Sequence, residues 1–175
     1  MRLFSALVVS LLPTALAVFQ DEAGEVDYHH ALLGLPQRHT TFFHQPQPSS
    51  KASLVYSLSQ LHILGAINPK DGTLVWRQRL HPGLSSNDSF LFPGQSQSIV
   101  SGVDGQIACW SAMDGKLLWS VEQNLPGTLV DLNSVDIGPS GRDVAALFQG
   151  DSSTVQRLDG KSGNPLWQYK DSRYA

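Results

Sequence analysis

Apolar residues along this chain fall in short β-forming runs, and turn-forming residues punctuate those runs at regular intervals. Runs at 65–68 and 73–77 flank Asp71-Gly72, runs at 106–110 and 116–121 flank Asp114-Gly115, and runs at 154–158 and 165–169 flank Ser162-Gly163. Asp-Gly supplies the positive φ angles of a tight turn, and the flanking Leu, Val, Ile and Trp favour extended backbone. Each pair of runs is therefore predicted to be a β-hairpin. A further β-rich run precedes each hairpin, at 53–58, 98–101 and 144–148. Val103-Asp104-Gly105 adds a second turn signal inside the middle unit. Three strands per unit are visible, and a fourth is expected in the weakly patterned linkers.

The three hairpins close on one pattern, (Asp/Ser)-Gly-x-x-x-Trp, which ends at Trp76, Trp119 and Trp167. The period, roughly 45 residues, is that of a four-stranded propeller blade. A sheet of this kind cannot bury both faces alone, so successive units must stack radially with large side chains between them. Trp76, Trp119 and Trp167 are the expected packing residues, and Gly72, Gly115 and Gly163 the expected turn residues. The fixed place of the tryptophans after each turn favours this architectural role over an aromatic ligand platform. The expected fold is all-β: a partial β-propeller of about three four-stranded antiparallel blades. Because propellers use roughly four to eight blades, a fragment of a larger ring is expected.

The start of the chain carries a different pattern. Met1-Arg2 is a short positive start, Leu3 to Leu12 is apolar apart from two serines, Pro13 breaks the run, and Ala15-Leu16-Ala17 matches a small-x-small cleavage site. Residues 1–17 read as a secretory signal peptide with a helical core, and 18–175 as the propeller portion. The apolar run is shorter than the roughly 20 residues of a membrane span. Entry into the secretory route makes Asn87-Asp88-Ser89, set among turn formers, a candidate glycosylation site at Asn87.

Composition narrows the partners. The 175 residues carry 12 Lys+Arg against 15 Asp+Glu, so no basic face for nucleic acid is expected. At 41% hydrophobic with 15 Gly and 10 Pro, the chain is turn-rich and able to bury a core. Its single cysteine, Cys109, excludes an internal disulfide and a Cys-x-x-Cys zinc or redox site.

Candidate chemistry is sparse. His29, His30, His39 and His44 form a His-rich stretch, but adjacent histidines on a strand face opposite ways, and no His-Glu-x-x-His pattern exists. They read as scattered loop and strand residues. Asp131 to Asp136 begins like a calcium loop, but Val135 takes a ligand position and Arg142 the place of the closing Glu. Gly138-Pro139-Ser140-Gly141 has the wrong order for a nucleophile elbow. Asp21, Glu22, Glu25 and Asp27 read as a solvated segment, and Gln45 to Ser50 as a short Pro-rich connector. No catalytic residue, metal site, cofactor or small-molecule substrate is expected.

The repeat looks like that of pyrroloquinoline-quinone-like propellers. The stretch from Asp21 through His29-His30 to Gly34, followed by Ser50-Lys51-Ala52-Ser53-Leu54 and Gly65 to Gly72, resembles the start of subunit 1 of the endoplasmic reticulum membrane protein complex, in a fungal-type form. That resemblance implies a signal peptide leading into a lumenal propeller, in a longer protein with a single span near its far C-terminus. It further implies a noncatalytic scaffold whose partners are the other complex subunits, supporting insertion of transmembrane and tail-anchored proteins. Two other readings of the repeats stand beside it. One is a fragment of a quinoprotein dehydrogenase, which would hold a quinone and calcium and often a disulfide of neighbouring cysteines. The other is a secreted repeat domain that binds proteins or glycans.

Overall fold

A computed structural model describes residues 33–80, 89–122, 125, 127–137 and 141–171. The expected signal peptide, the sequon at Asn87, His29, His30, the acidic segment 21–27 and Gly138 to Ser140 lie outside the described residues. Among the described residues there is no helix, and twelve strands form three four-stranded antiparallel sheets.

Blade 1 contains β1 (Pro36–His44), β2 (Leu54–Ser59), β3 (Ile63–Ile67) and β4 (Leu74–Arg79) in that order. Blade 2 contains β5 (Ser89–Pro93), β6 (Ser98–Val103), β7 (Gln106–Ser111) and β8 (Leu117–Glu122). Blade 3 contains β9 (Thr128–Asp136), β10 (Arg142–Gln149), β11 (Ser153–Leu158) and β12 (Pro165–Asp171). Each sheet is a simple meander, as short turns between sequential strands require. The strand missing from the sequence pattern is the first of each blade. These three strands neighbour one another, β1 beside β5 and β5 beside β9, and so line the axis about which the blades are arranged.

The core lies between the sheets. Tyr56, Leu58, Leu64, Ala66 and Trp76 of blade 1 meet Leu91, Ile99 and Val103 of blade 2, together with Ala112 of the following turn. Val100, Ile107, Cys109 and Trp119 of blade 2 meet Leu129, Leu132, Val144, Ala146, Phe148 and Leu158 of blade 3. Blade 2 thus buries both faces, which explains why every residue of β6 is buried. Burial on both faces of a strand erases alternation and leaves a continuous apolar or small-residue run, here Ser-Ile-Val-Ser-Gly-Val.

The hairpins differ from the expected tight turn in an instructive way. A two-residue type I′ turn needs positive φ at both central residues. Asp104-Gly105, between β6 and β7, meets that condition, with φ of 51° and 79° and Val103 paired to Gln106, and so does Ser96-Gln97, between β5 and β6, with φ of 51° and 56° and Ser98 N–H donating to the Gln95 carbonyl. In the repeat turns the glycine alone is left-handed: Gly72, Gly115 and Gly163 have φ near 70°, and Asp71, Asp114 and Ser162 do not share it. Each is a four-residue loop closed by two backbone bonds. Gly72 N–H donates to Asn68 and Asn68 N–H to Thr73; Gly115 to Ser111 and Ser111 to Lys116; Gly163 to Asp159 and Asp159 to Asn164. Side-chain oxygens then hold the loop, with Asp71 Oδ1 accepting from Thr73 N–H and Asp159 Oδ2 from Ser162 N–H. A register shift accompanies each of these hairpins, between Ala66 and Ile67, Cys109 and Trp110, and Arg157 and Leu158.

Candidate functional site

The joints between blades are built from one residue of the outermost strand and one turn of the next blade. Trp76 on β4 donates Nε1–H to the carbonyl of Ala112 at 3.0 Å, and its six-membered ring lies where a Cβ on Gly115 would be, 2.5 Å away. Trp119 on β8 repeats the arrangement, donating to the carbonyl of Gly160 at 3.2 Å with its ring 2.5 Å from a Cβ built on Gly163. Both indoles are 8% exposed. A buried indole needs a partner for its N–H, and the loop carbonyl provides one while the absent Cβ provides the seat.

Two further groups strengthen these joints. Tyr56 on β2 donates its hydroxyl to the same Ala112 carbonyl at 2.9 Å, so two blade 1 side chains converge on one blade 2 atom. Burial pushes the Tyr56 phenol well above its ordinary range, which keeps it a neutral donor. At the second joint, Asp143 on β10 is buried, receives Gly160 N–H at 3.1 Å and pairs with Arg157 of β11 at 2.6 Å. Its carboxylate fixes the loop that offers the Gly160 carbonyl to Trp119.

Trp167 on β12 departs from the expected packing. It belongs to the same repeat position, yet it is 48% exposed, and Leu166 and Tyr169 beside it are exposed as well. The reason is positional: Trp76 and Trp119 are each covered by the turn of a following blade, and no described blade follows β12. Gly72 shows the converse. Its turn matches those of Gly115 and Gly163, but nothing among the described residues lies within 4 Å of a Cβ built there.

The inner strands enclose a second candidate region, a cleft of about 490 Å³ bordered by Arg38 and His39 of β1, Phe90 and Phe92 of β5, and Asp131 and Asn133 of β9. His39 reaches it through a left-handed backbone, φ 62°, inside the register shift of β1. The other described histidines, His44 and His62, lie on separate elements. His44 packs against Phe42 and Tyr56, and burial followed by the charge of Arg142 lowers its pKa; His62 is buried at the turn after β2. Asp131 to Asp136 runs as strand β9 and not as a looped cation site. Among the described residues no three His, Cys, Asp or Glu side chains group closely enough to hold a metal ion. Cys109 is buried, and burial raises its thiol pKa, so it is an inert core residue.

Sequence reasoning did not single out Tyr56, Asp143, or the acceptors at Ala112 and Gly160. A backbone carbonyl has no side-chain signature; its only available cue is its place three residues before each turn glycine. The axial residues Arg38, Asp131 and Asn133 belong to strands that the pattern did not reveal.

The family model for the EMC1 N-terminal beta-propeller domain matches residues 17–174. A comparison with curated proteins finds no match. Among solved structures, quinohemoprotein alcohol dehydrogenase ADHIIG from Pseudomonas putida HK5 is similar, with a TM-score of 0.53 at 14% identity over 79% of this chain and 21% of that one. A europium-containing methanol dehydrogenase is similar to the same extent, with a TM-score of 0.53 at 16% identity over 79% of this chain and 26% of that one. The chain therefore spans about a fifth to a quarter of these structures. At such identities the likeness shows a shared propeller fold and nothing of their chemistry.

Proposed function

The chain belongs to the family of EMC1 N-terminal beta-propeller domains, and from that membership we propose that it is a noncatalytic lumenal scaffold of the endoplasmic reticulum membrane protein complex. In this reading it supports insertion of transmembrane and tail-anchored proteins into the membrane of that organelle, and its partners are the other subunits. The observation that carries the reading is the family match across residues 17–174, which takes in all three blades. The signal pattern of residues 1–17 and the sequon at Asn87 support the lumenal side. Apolar side chains left exposed on the outer strands, among them Val75, Leu117, Leu118 and Leu166, suit a surface that meets other proteins.

The quinoprotein alternative finds no matching ligand set among the described residues. The one cysteine of the sequence cannot form a disulfide of neighbours, and no described acidic cluster offers calcium a ligand set. Among the described residues no helix is long and apolar enough to cross a membrane.

Affinity purification of the tagged chain from solubilised microsomes tests the proposal. Complex subunits are expected in the eluate, and glycosidase treatment is expected to shift the chain by one glycan that Asn87→Gln removes. A chain recovered without those subunits, or exported to the medium, would count against the scaffold reading.

A further inference from the structure

The outer strands β4, β8 and β12 are the outward edges of the three sheets. An edge strand turns half of its backbone N–H and C=O groups away from the sheet, and charged residues or a proline on it ordinarily deter a further strand. β4 carries Arg77 and Arg79, and β12 carries Pro165 and Lys170. β8 has neither kind from Leu117 to Val121, and its Leu117 and Leu118 are 50% and 56% exposed. Among the described outer strands, β8 is therefore the bare edge.

A cleft opens onto that edge. Ser101 pairs with Ala108 and Ala108 with Ser120, so three small side chains form one row across blade 2, on the face turned to blade 1. The row floors a cleft of about 300 Å³, with Trp110 and Leu117 on one side, Gln106 on the other, and Leu80 of blade 1 bordering it. Ser101 Oγ accepts the Trp110 Nε1–H at 2.9 Å, which fixes the indole as a wall. The same row in blade 3 is Ala146, Gln156 and Gln168, with Gln156 buried, and in blade 1 it ends at Arg77. Of the three described blades, blade 2 alone keeps small side chains out to its edge strand.

We propose that β8 is a docking edge for an extended, uncharged segment of a partner protein, which adds a further strand to blade 2 and lays one apolar side chain in the cleft over Ala108 and Ser120. In strand addition the backbone bonds supply affinity, and a pocket for alternate side chains supplies selectivity. A partner residue facing Ser120 points to the same side of the sheet as Ser120, while its two neighbours point to the other. The walls at Trp110 and Leu117 suit an aliphatic or aromatic side chain, and a carboxylate there would lose its hydration without a paired charge. The contact gives the exposed leucines of β8 a defined use, and it rests on blade 2 alone, so its failure on the purified chain leaves membership of the complex standing.

Fluorescence anisotropy of labelled peptides titrated with the full chain tests this. The probes are Ac-Lys-Ser-Val-Leu-Val-Ser-Lys-NH2 and its relatives with Phe or Glu in place of Leu. Saturable binding is expected for the Leu and Phe probes, and binding weaker by at least about tenfold for the Glu probe. A Leu probe N-methylated along its backbone cannot donate to β8 and is expected not to bind. Leu118→Lys puts a charge on the edge, and Ser120→Gln fills the row as Gln168 does in blade 3. Both positions are exposed, so both variants are expected to fold and to lose at least about tenfold in affinity, whereas Leu166→Lys on β12 is expected to lose none. Absence of saturable binding by the Leu and Phe probes overturns the proposal, and so does equal binding of the Glu or N-methylated probe. Affinity retained in both β8 variants, or lost equally in Leu166→Lys, overturns it as well. Self-association of the chain that Leu118→Lys abolishes would make a second copy the occupant of the edge and overturn the assignment to a partner segment.

Discussion

Trp119 and Gly163 form a joint in which one residue's shape is defined by what the other lacks. Gly163 has φ of 73°, a backbone state that L side chains adopt at a cost, and the direction its Cβ would take leads straight into the indole. The glycine therefore meets a backbone need and a packing need at once. Trp76 and Gly115 repeat the relation one blade earlier. Periodic Gly-x-x-x-Trp is thus more than a strand signature: in blades 2 and 3 the glycine receives the tryptophan of the blade before.

The tryptophans should consequently differ in energetic weight despite their equal place in the repeat. Trp76→Ala removes a large buried ring and leaves a void between blades, at a cost of about 3–5 kcal/mol. Trp167→Ala, at a half-exposed position, should shift monomer stability by about 0.5 kcal/mol or less. Urea unfolding followed by circular dichroism under dilute conditions separates the two. Similar losses for both would show that Trp167 is buried in solution within the single chain.

The glycines should divide in the same manner. Gly72→Ala meets only the strain of a left-handed alanine, about 1–2 kcal/mol. Gly115→Ala meets that strain and a methyl group 2.5 Å from the Trp76 ring, so the indole or the turn must move. The larger loss at Gly115, read from thermal midpoints of the two variants, checks the prediction; equal losses would mean that the joint yields freely.

Strands two to four of each blade were readable because their hairpins carry turn residues between β-forming runs. The first strands were not, and in two of them, β1 and β9, the cause is local. β1 opens with Pro36 and contains left-handed His39 within a register shift. In β9, Leu147 faces Asp131 and Phe148 faces Leu129, so Val130 is passed over and the apolar positions Leu129 and Leu132 fall three apart. A bulge of this kind breaks the period of two on which strand reading depends. The repeat also marked Trp167 as a joint residue, but exposure is a property of the neighbour as well as of the residue. Burial at Trp76 and Trp119 comes from the next blade's turn, which no pattern inside their own strands records.

Asp143 should be the polar residue on which blade 3 depends most. It is 2% exposed, and its two oxygens hold different partners, Oδ1 the Gly160 N–H and Oδ2 the Arg157 guanidinium. Asp143→Ala leaves both donors without that acceptor and releases the loop beneath Trp119, at a cost of about 2–3 kcal/mol for hydrogen bonds to a charged group. Asp143→Asn keeps an acceptor and should cost less. Chemical denaturation of the two variants gives the ranking, and a reversed order would refute it.

The repeat turns should make the fold sensitive to acid. Asp71, Asp114 and Asp159 are all held below the ordinary carboxylate pKa of 3.8, chiefly by side-chain hydrogen bonds from Thr73, Ser111 and Ser162 respectively. A carboxyl whose folded pKa is depressed binds its proton more readily in the unfolded chain. Its stabilisation is complete above the unfolded value and fades as pH falls through the folded one. Asp71 and Asp114 are exposed and Asp159 is only partly buried, so the effect is modest and screened by salt. Thermal midpoints should therefore fall between about pH 5 and about pH 3, and the triple variant Asp71→Asn, Asp114→Asn, Asp159→Asn should show a shallower fall over that window. An identical slope in the variant would place the acid sensitivity in other carboxylates.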